Sequence, residues 1–411
     1  MTVTGILLAA SLILFFAFFA SFIFRRFGLP DVLFLIILGF VIGPSVLNYV
    51  TPASLSGLAP VFTTFTLLFL LFDGAFNINL ASLIREFSES FILTIFNFII
   101  SSAVILCVML ISGFPFLESL LMGFLLGGVS SSFVIPILQQ IKVKERLYSL
   151  LTLESALTDV FCIVFSLTVI EIIQLGSFGF RQTFTQLASL FAVAGLIGLI
   201  GGVIWIILTN HVLKEHNYVM VVAYLLLVYV MAEFLNGNGA IATLFFGLML
   251  KNSKQLSSIL KGILSRGSKK EQKAIKGELG VAVTTPAEEY FYHQISFFLK
   301  TFFFVYIGIL IDFTDTRALV IGLIIAVLLA FSRTSSLLLT RKLKLDQRTL
   351  VNSMFARGLA AAAIAQLALQ FGVPQADFMA KISYIVITGT IVLSSIRVFM
   401  LKRKIILPHG F

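Results

Sequence analysis

An ionised side chain in hydrocarbon costs about 2.5 to 3.5 kcal/mol even on lenient insertion scales, so each carboxylate inside an apolar run needs a reason to be there. The run LTLESALTDVFCIVF, residues 151 to 165, holds two, Glu154 and Asp159. At about 100° per residue in a helix, Ser155 and Asp159 share one face while Glu154 and Thr158 share the neighbouring one. That arrangement separates two jobs. Asp159 with the Ser155 hydroxyl offers hard oxygen ligands to a small monovalent cation. A single carboxylate holds such a cation or a proton, never both, which is the chemistry of exchange.

Two guanidinium groups interrupt other apolar runs. Arg333 lies in AVLLAFSRTSSLLL, eight residues before Arg341, and Glu154 lies eight residues beyond Arg146. Equal rise of about 1.5 Å per residue puts the two at one depth, so they can pair without either charge facing lipid. Such a pair satisfies Glu154 and leaves Asp159 free. As a lock between two helices it need not touch the ion. Arg357, in MFARGLAAAAIAQLAL, lies nine residues beyond Arg348 and reaches a similar depth, among small residues that permit close backbone approach. At the same depth LLGGVSSSFVIPIL places Gly127, Gly128, Ser130, Ser131, Ser132 and Pro136. Pro136 removes an intrahelical hydrogen bond, the glycines weaken the turn and the serines can re-satisfy freed backbone. An ordinary proline kink is the plain alternative, but broken helices of this kind line ion sites in secondary transporters. A carboxylate, hydroxyls, a broken helix and two guanidiniums in one plane favour the transport reading.

The elements that must carry these groups are membrane helices. Of 411 residues 59% are hydrophobic and 12% charged, and mean hydropathy is +1.07, too little polar surface for a soluble protein. Apolar runs between polar breaks give about thirteen helices, approximately 3 to 24, 31 to 49, 57 to 73, 91 to 112, 117 to 140, 147 to 173, 184 to 210, 217 to 235, 239 to 250, 294 to 311, 317 to 340, 349 to 371 and 376 to 400. No strand pattern competes, so the expected fold is an all-α polytopic membrane protein. The first run lacks a basic leader and a cleavage site and is read as a retained helix. Cys107 and Cys162, both in apolar runs, read as buried small hydrophobes, not a disulfide.

The net charge of +10 is explained by place, not by nucleic acid. Cations gather in alternate loops, at Arg25, Arg26, Arg85, Lys142, Lys144, Arg146, Lys214, Lys251 to Lys276, and Arg341 to Arg348, and again at the C-terminus; the other loops hold little beyond Arg181, Arg317 and Lys381. The positive-inside rule then puts the N-terminus outside and the C-terminus in the cytoplasm, in the cell (plasma or inner) membrane. The polar stretch 252–293 reads as a solvated cytoplasmic linker. Its Gly262 to Lys269 segment has no preceding strand and a broken Gly-Lys order, so no nucleotide-binding motif is assigned.

Taken together these segments resemble the monovalent cation/proton antiporter superfamily, sodium/proton exchangers of the NhaP type with Kef-like features, over nearly the whole chain. FGLPDVLFLIILGFVIGPSVL at 27 to 47, LLFLLFDGAFNINL at 67 to 80 and TFFFVYIGILID at 301 to 312 resemble the family's second, third and tenth helices. ESALTD at 154 to 159 resembles its Glu-Ser-x-x-Asn-Asp signature, which implies that Asp159 carries the ion. Arg333 falls where the electroneutral branch has arginine, and Arg357 with Gly358 resembles the Arg-Gly of the second crossed helix. Ser155, Thr158, Ser130, Ser131 and Ser132 join Asp159 as the expected ion- and proton-binding set, with the cation at Asp159 and Ser155.

The resemblance implies a single exchanger domain over 1–411 with the NhaA/NapA-like fold. Inverted six-helix repeats, 1–174 and 217–400, flank a linker helix at 184–210, and the fifth and twelfth helices are discontinuous and crossed. It also implies a homodimer in the lipid bilayer serving pH homeostasis, no cofactor, and exchange of sodium, or lithium or potassium, for protons. Thr158 stands in place of an asparagine or second aspartate, which supports electroneutral exchange. SSS at 130 to 132 is closer to the Kef branch and keeps potassium open as the alternative. A channel would need a ring of ligands where this chain offers one unshared carboxylate. A membrane enzyme is disfavoured, because no HExxH occurs and the four histidines lie near or outside the helix ends.

Overall fold

The computed structural model describes residues 3–27, 30–55, 57–76, 87–176, 180–209, 218–253, 286–341 and 343–406, and these are helical with no strand among them. In hydrocarbon every backbone N–H and C=O must find a partner within the protein, and the helix supplies it locally. The helices are α1 (Val3–Phe27), α2 (Asp31–Ile42), α3 (Pro52–Leu55), α4 (Ala59–Phe76), α5 (Phe87–Ile111), α6 (Phe116–Leu125), α7 (Ser131–Ile141), α8 (Glu145–Leu175) and α9 (Phe180–Leu208). There follow α10 (Tyr218–Phe234), α11 (Gly239–Lys251), α12 (Pro286–Leu310), α13 (Thr316–Ser332), α14 (Ser336–Leu339), α15 (Leu345–Ser353), α16 (Leu359–Gln370) and α17 (Ala376–Ile406). Among the described residues six segments are long and apolar enough to cross a membrane alone: Ser90–Ile111, Glu145–Leu175, Thr185–Leu208, Tyr290–Leu310, Thr316–Leu339 and Ala376–Leu401. Large apolar side chains such as Leu12, Phe15, Phe18 and Phe22 of α1 stand exposed, as a lipid-facing surface requires.

Two compact units divide the chain, one of residues 1–66, 88–176 and 297–411, the other of 67–87 and 177–296. The first holds every expected site residue. In it α2 and α12 cross at glycines: a Cβ on Gly308 would strike the Ile36 carbonyl oxygen and lie 2.9 Å from the Cα of Gly39. The obstructing atoms are backbone and cannot rotate away. Gly308→Ala is therefore expected to destabilise the protein by about 1 to 3 kcal/mol, read as a fall in its unfolding temperature in detergent. Within the second unit α9 packs on α11, where Gly198 faces the Ala242 carbonyl and Gly202 faces Met249. Glycines four residues apart on one helix face permit that close approach.

Several expected boundaries shift. The second helix stops at Ile42, well short of residue 49, because Gly43 (ψ −174°) precedes Pro44, whose ring disfavours the helical conformation before it. The tenth begins at Pro286 instead of 294, so part of the supposed linker 252–293 is helical; residues 254–285 lie outside the described residues, as do Lys214 and Lys342. The fifth helix is interrupted at Leu126–Ser130 and not at Pro136, which sits inside α7. The twelfth is interrupted at Met354–Gly358. In the eleventh, Arg333–Ser335 forms a tighter 3-10 turn between α13 and α14. Cys107 is exposed on α5, contrary to the buried reading; Cys162 is buried, and both are free thiols.

Candidate functional site

The interruption at 126–130 removes backbone groups from helical pairing inside an apolar protein, and each exposed N–H must be paired elsewhere. Their partners define the site. Gly128 N–H donates to Cys162 Sγ at 3.1 Å and Val129 N–H to Thr158 Oγ1 at 3.0 Å. Ser130 N–H donates to the Ala356 carbonyl at 2.8 Å, and Ser131 N–H lies 3.4 Å from Asp159 Oδ2. Three of the four acceptors belong to one turn of α8. The fourth belongs to the second interruption, so the two breaks meet backbone to backbone. Close approach there needs Gly358, because a Cβ on it would strike the Ser130 side chain.

Carbonyl groups at the breaks meet arginines. Arg357 Nη1 donates to the carbonyl oxygens of Gly127, at 3.0 Å, and Gly128, and Nη2 to Ser101 Oγ at 3.0 Å. Its own N–H donates to Thr390 Oγ1 at 3.0 Å. Arg333 Nε donates to the Val351 carbonyl at 3.1 Å, near the end of α15. A helix C-terminus carries about half a negative charge, so each guanidinium offsets the end of one half-helix.

Glu154 and Asp159, the two carboxylates in the middle of α8, differ sharply. Glu154, 1% exposed, receives Arg333 through both oxygens, at 2.5 and 2.8 Å, and the Asn97 amide at 2.8 Å. Fork-to-fork pairing of this kind occupies the carboxylate. Asp159 is only half-buried and receives the Ser131 hydroxyl at 2.5 Å. Ser131 opens α7, whose N-terminal N–H groups and partial positive charge favour an anion.

The expected residues divide accordingly. Asp159 and Ser131 meet directly, and Glu154 and Arg333 form their own pair. The Thr158 hydroxyl bonds the backbone of Val129 and serves the break, also lying 3.1 Å from the Ser155 carbonyl. Ser155 is fully buried and its hydroxyl donates to the Thr152 carbonyl at 3.0 Å, not to Asp159. Ser130 enters through its backbone, and the Ser132 carbonyl oxygen takes a bond from Lys300 Nζ at 3.4 Å. Sequence reasoning missed Asn97, Ser101, Cys162, Thr390, Asp31 and Lys300. Of these, Lys300 and Asn97 carried a signal: each is a polar residue inside an apolar helix.

Comparison with known proteins places the chain as a whole. The profile of the sodium/hydrogen exchanger transmembrane family matches residues 12–404. Among solved structures, the sodium proton antiporter MjNhaP1 from Methanocaldococcus jannaschii at pH 8 superposes with a TM-score of 0.74 at 20% identity, covering 96% of this chain and 100% of that one. An electron-microscopy structure of the same antiporter gives a TM-score of 0.70 at 16% identity, covering 100% of both chains.

Proposed function

This chain belongs to the sodium/hydrogen exchanger family, and we propose that it performs its sodium/proton antiport at Asp159, one cation for one proton. The observation that carries the site is the contrast within α8: Glu154 is enclosed by Arg333 and Asn97, whereas Asp159 is half-buried and bonded to a single side chain, Ser131. Protonated Asp159 releases its proton to one side and takes sodium there; the loaded carboxylate then presents sodium to the other side. The Ser131 hydroxyl supplies a second oxygen beside it. Ser155, one turn before Asp159, lends its oxygen only if its hydroxyl turns from Thr152. The family match favours sodium over the potassium alternative.

We assign N-terminus outside and C-terminus cytoplasmic from the loop cations, in a cell membrane and as a homodimer. Thirteen passes result when the four-residue α3 is left out and α6 with α7, α13 with α14 and α15 with α16 each count as one element. The two interruptions fall in the fifth and twelfth of these, which supports inverted repeats over 1–174 and 217–400 about a linker helix.

Stoichiometry follows from charge. Asp159 crosses as COOH or as carboxylate with one cation, and both forms are neutral. Glu154 is paired with Arg333, Asp31 with Lys300, and Thr158 adds no charge. Membrane voltage is therefore expected not to drive the cycle, although about 2.3 kcal/mol per charge per 100 mV would be available to it. Proteoliposomes clamped at several potentials with ionophore, under sodium, lithium and potassium gradients in turn, test this. An exchange equilibrium that moves with voltage would show a second charge crossing, and proton movement driven best by potassium would reverse the cation assignment.

A further inference from the structure

In α7, Pro136 has no N–H, so the Ser132 carbonyl oxygen lacks its partner four residues on, and the proline ring crowds that same carbonyl. Another helix supplies the missing donor. Lys300 of α12 places Nζ 3.4 Å from the Ser132 oxygen and 3.5 Å from Asp31 Oδ2, at the start of α2. Both side chains are largely enclosed, 13% and 12% exposed, and the other Asp31 oxygen accepts the Val32 N–H at 2.9 Å. Ser132 directly follows Ser131, whose hydroxyl bonds Asp159. The first turn of α7 is thus held from outside, by an ammonium whose charge is balanced on a third helix.

We propose that Lys300 is a positioning residue for exchange: in place of the hydrogen bond that Pro136 cannot make, it fixes the start of α7 and so the Ser131 hydroxyl against Asp159, while Asp31 holds Lys300. An ammonium has three donors and can serve carbonyl and carboxylate together. A helix closed by its own backbone would set this turn by itself. With proline at 136, the placement of Ser131 depends on where α12 and α2 stand. Lys300 acts through Ser132 and Ser131 and does not touch the ion.

The test uses sodium-driven proton movement in proteoliposomes and reads apparent sodium affinity separately from maximal rate. Lys300→Met should raise the apparent sodium KM by about tenfold, the size set by one hydrogen bond to a charged group. Adding Pro136→Ala, which restores the N–H facing Ser132, should return KM to within about twofold of the parent, because the carbonyl is again paired. A merely structural lysine would give no such rescue. An unchanged KM in Lys300→Met, or a raised KM that Pro136→Ala leaves in place, overturns the proposal. Should Lys300→Met fail to fold because Asp31 is left uncompensated, Asp31→Asn is added to both variants, and a raised KM that Pro136→Ala then leaves in place likewise overturns it. The inference rests on Asp159 as the exchange site, so Asp159→Asn is measured alongside. Exchange retained there defeats the site, whereas loss there with an unrescued Lys300→Met defeats only the role of Lys300.

Discussion

Asp159→Asn is expected to reduce sodium-driven proton movement in proteoliposomes to the protein-free background while leaving the protein inserted and folded. Asparagine keeps the shape, and its amide oxygen can still accept the Ser131 hydroxyl that bonds Asp159 at 2.5 Å. What it loses is the negative charge that holds sodium and the acid that releases a proton. Glu154, the carboxylate nearest to it along α8, is not placed to take over, since it is already bound by Arg333 and Asn97. The measurement pairs a pH-sensitive dye inside the vesicles with size-exclusion and thermal-unfolding controls on the purified variant. Transport at the parent rate would remove Asp159 from the mechanism.

Glu154 and Arg333 should show a large coupling in stability. With 1% and 3% of their side chains exposed, neither charge can reach water once its partner is removed. Truncating one member of a buried pair costs about 3 to 5 kcal/mol in soluble proteins, because the other charge is left uncompensated. Glu154→Ala strands a guanidinium that keeps only its bond to the Val351 carbonyl; Arg333→Ala strands a carboxylate that keeps only the Asn97 amide. The double alanine variant strands neither. Its loss is expected to fall well short of the sum of the singles in thermal unfolding, and strict additivity would deny the coupling.

Much of this arrangement could be read from residue types and spacing. Asp159 stands out because a carboxylate is costly in hydrocarbon, and helical rise places Glu154 level with Arg333. The discontinuity of the fifth helix is signalled by glycines and serines in a run otherwise able to span, whereas that of the twelfth rests on the family resemblance alone. The finer assignments fail for one reason: helical period tells which residues share a face, but not which neighbour that face meets. Ser155 shares a face with Asp159, yet Ser131 from another helix reaches the carboxylate, and Ser155 bonds its own backbone. Pro136 suggested a break, yet the chain opens upstream, at Leu126–Ser130, where Arg357 and α8 can pair the freed groups. Cys162 looked like filler, and no sequence pattern shows that its sulfur accepts a backbone N–H.

The three α8 acceptors at the first interruption, Thr158, Asp159 and Cys162, lie on a single turn and take the N–H groups of Val129, Ser131 and Gly128. One inserted or deleted residue between 159 and 162 would rotate everything beyond it by about 100° and displace it by about 1.5 Å, turning the sulfur away from Gly128. Exchange of side chains in this turn is a local matter of donor and acceptor, but a change of its length breaks the correspondence between two segments at once. Descendants of this chain can therefore vary in composition along α8 far more freely than in spacing, and gaps in an ancestral record should gather outside residues 158–162.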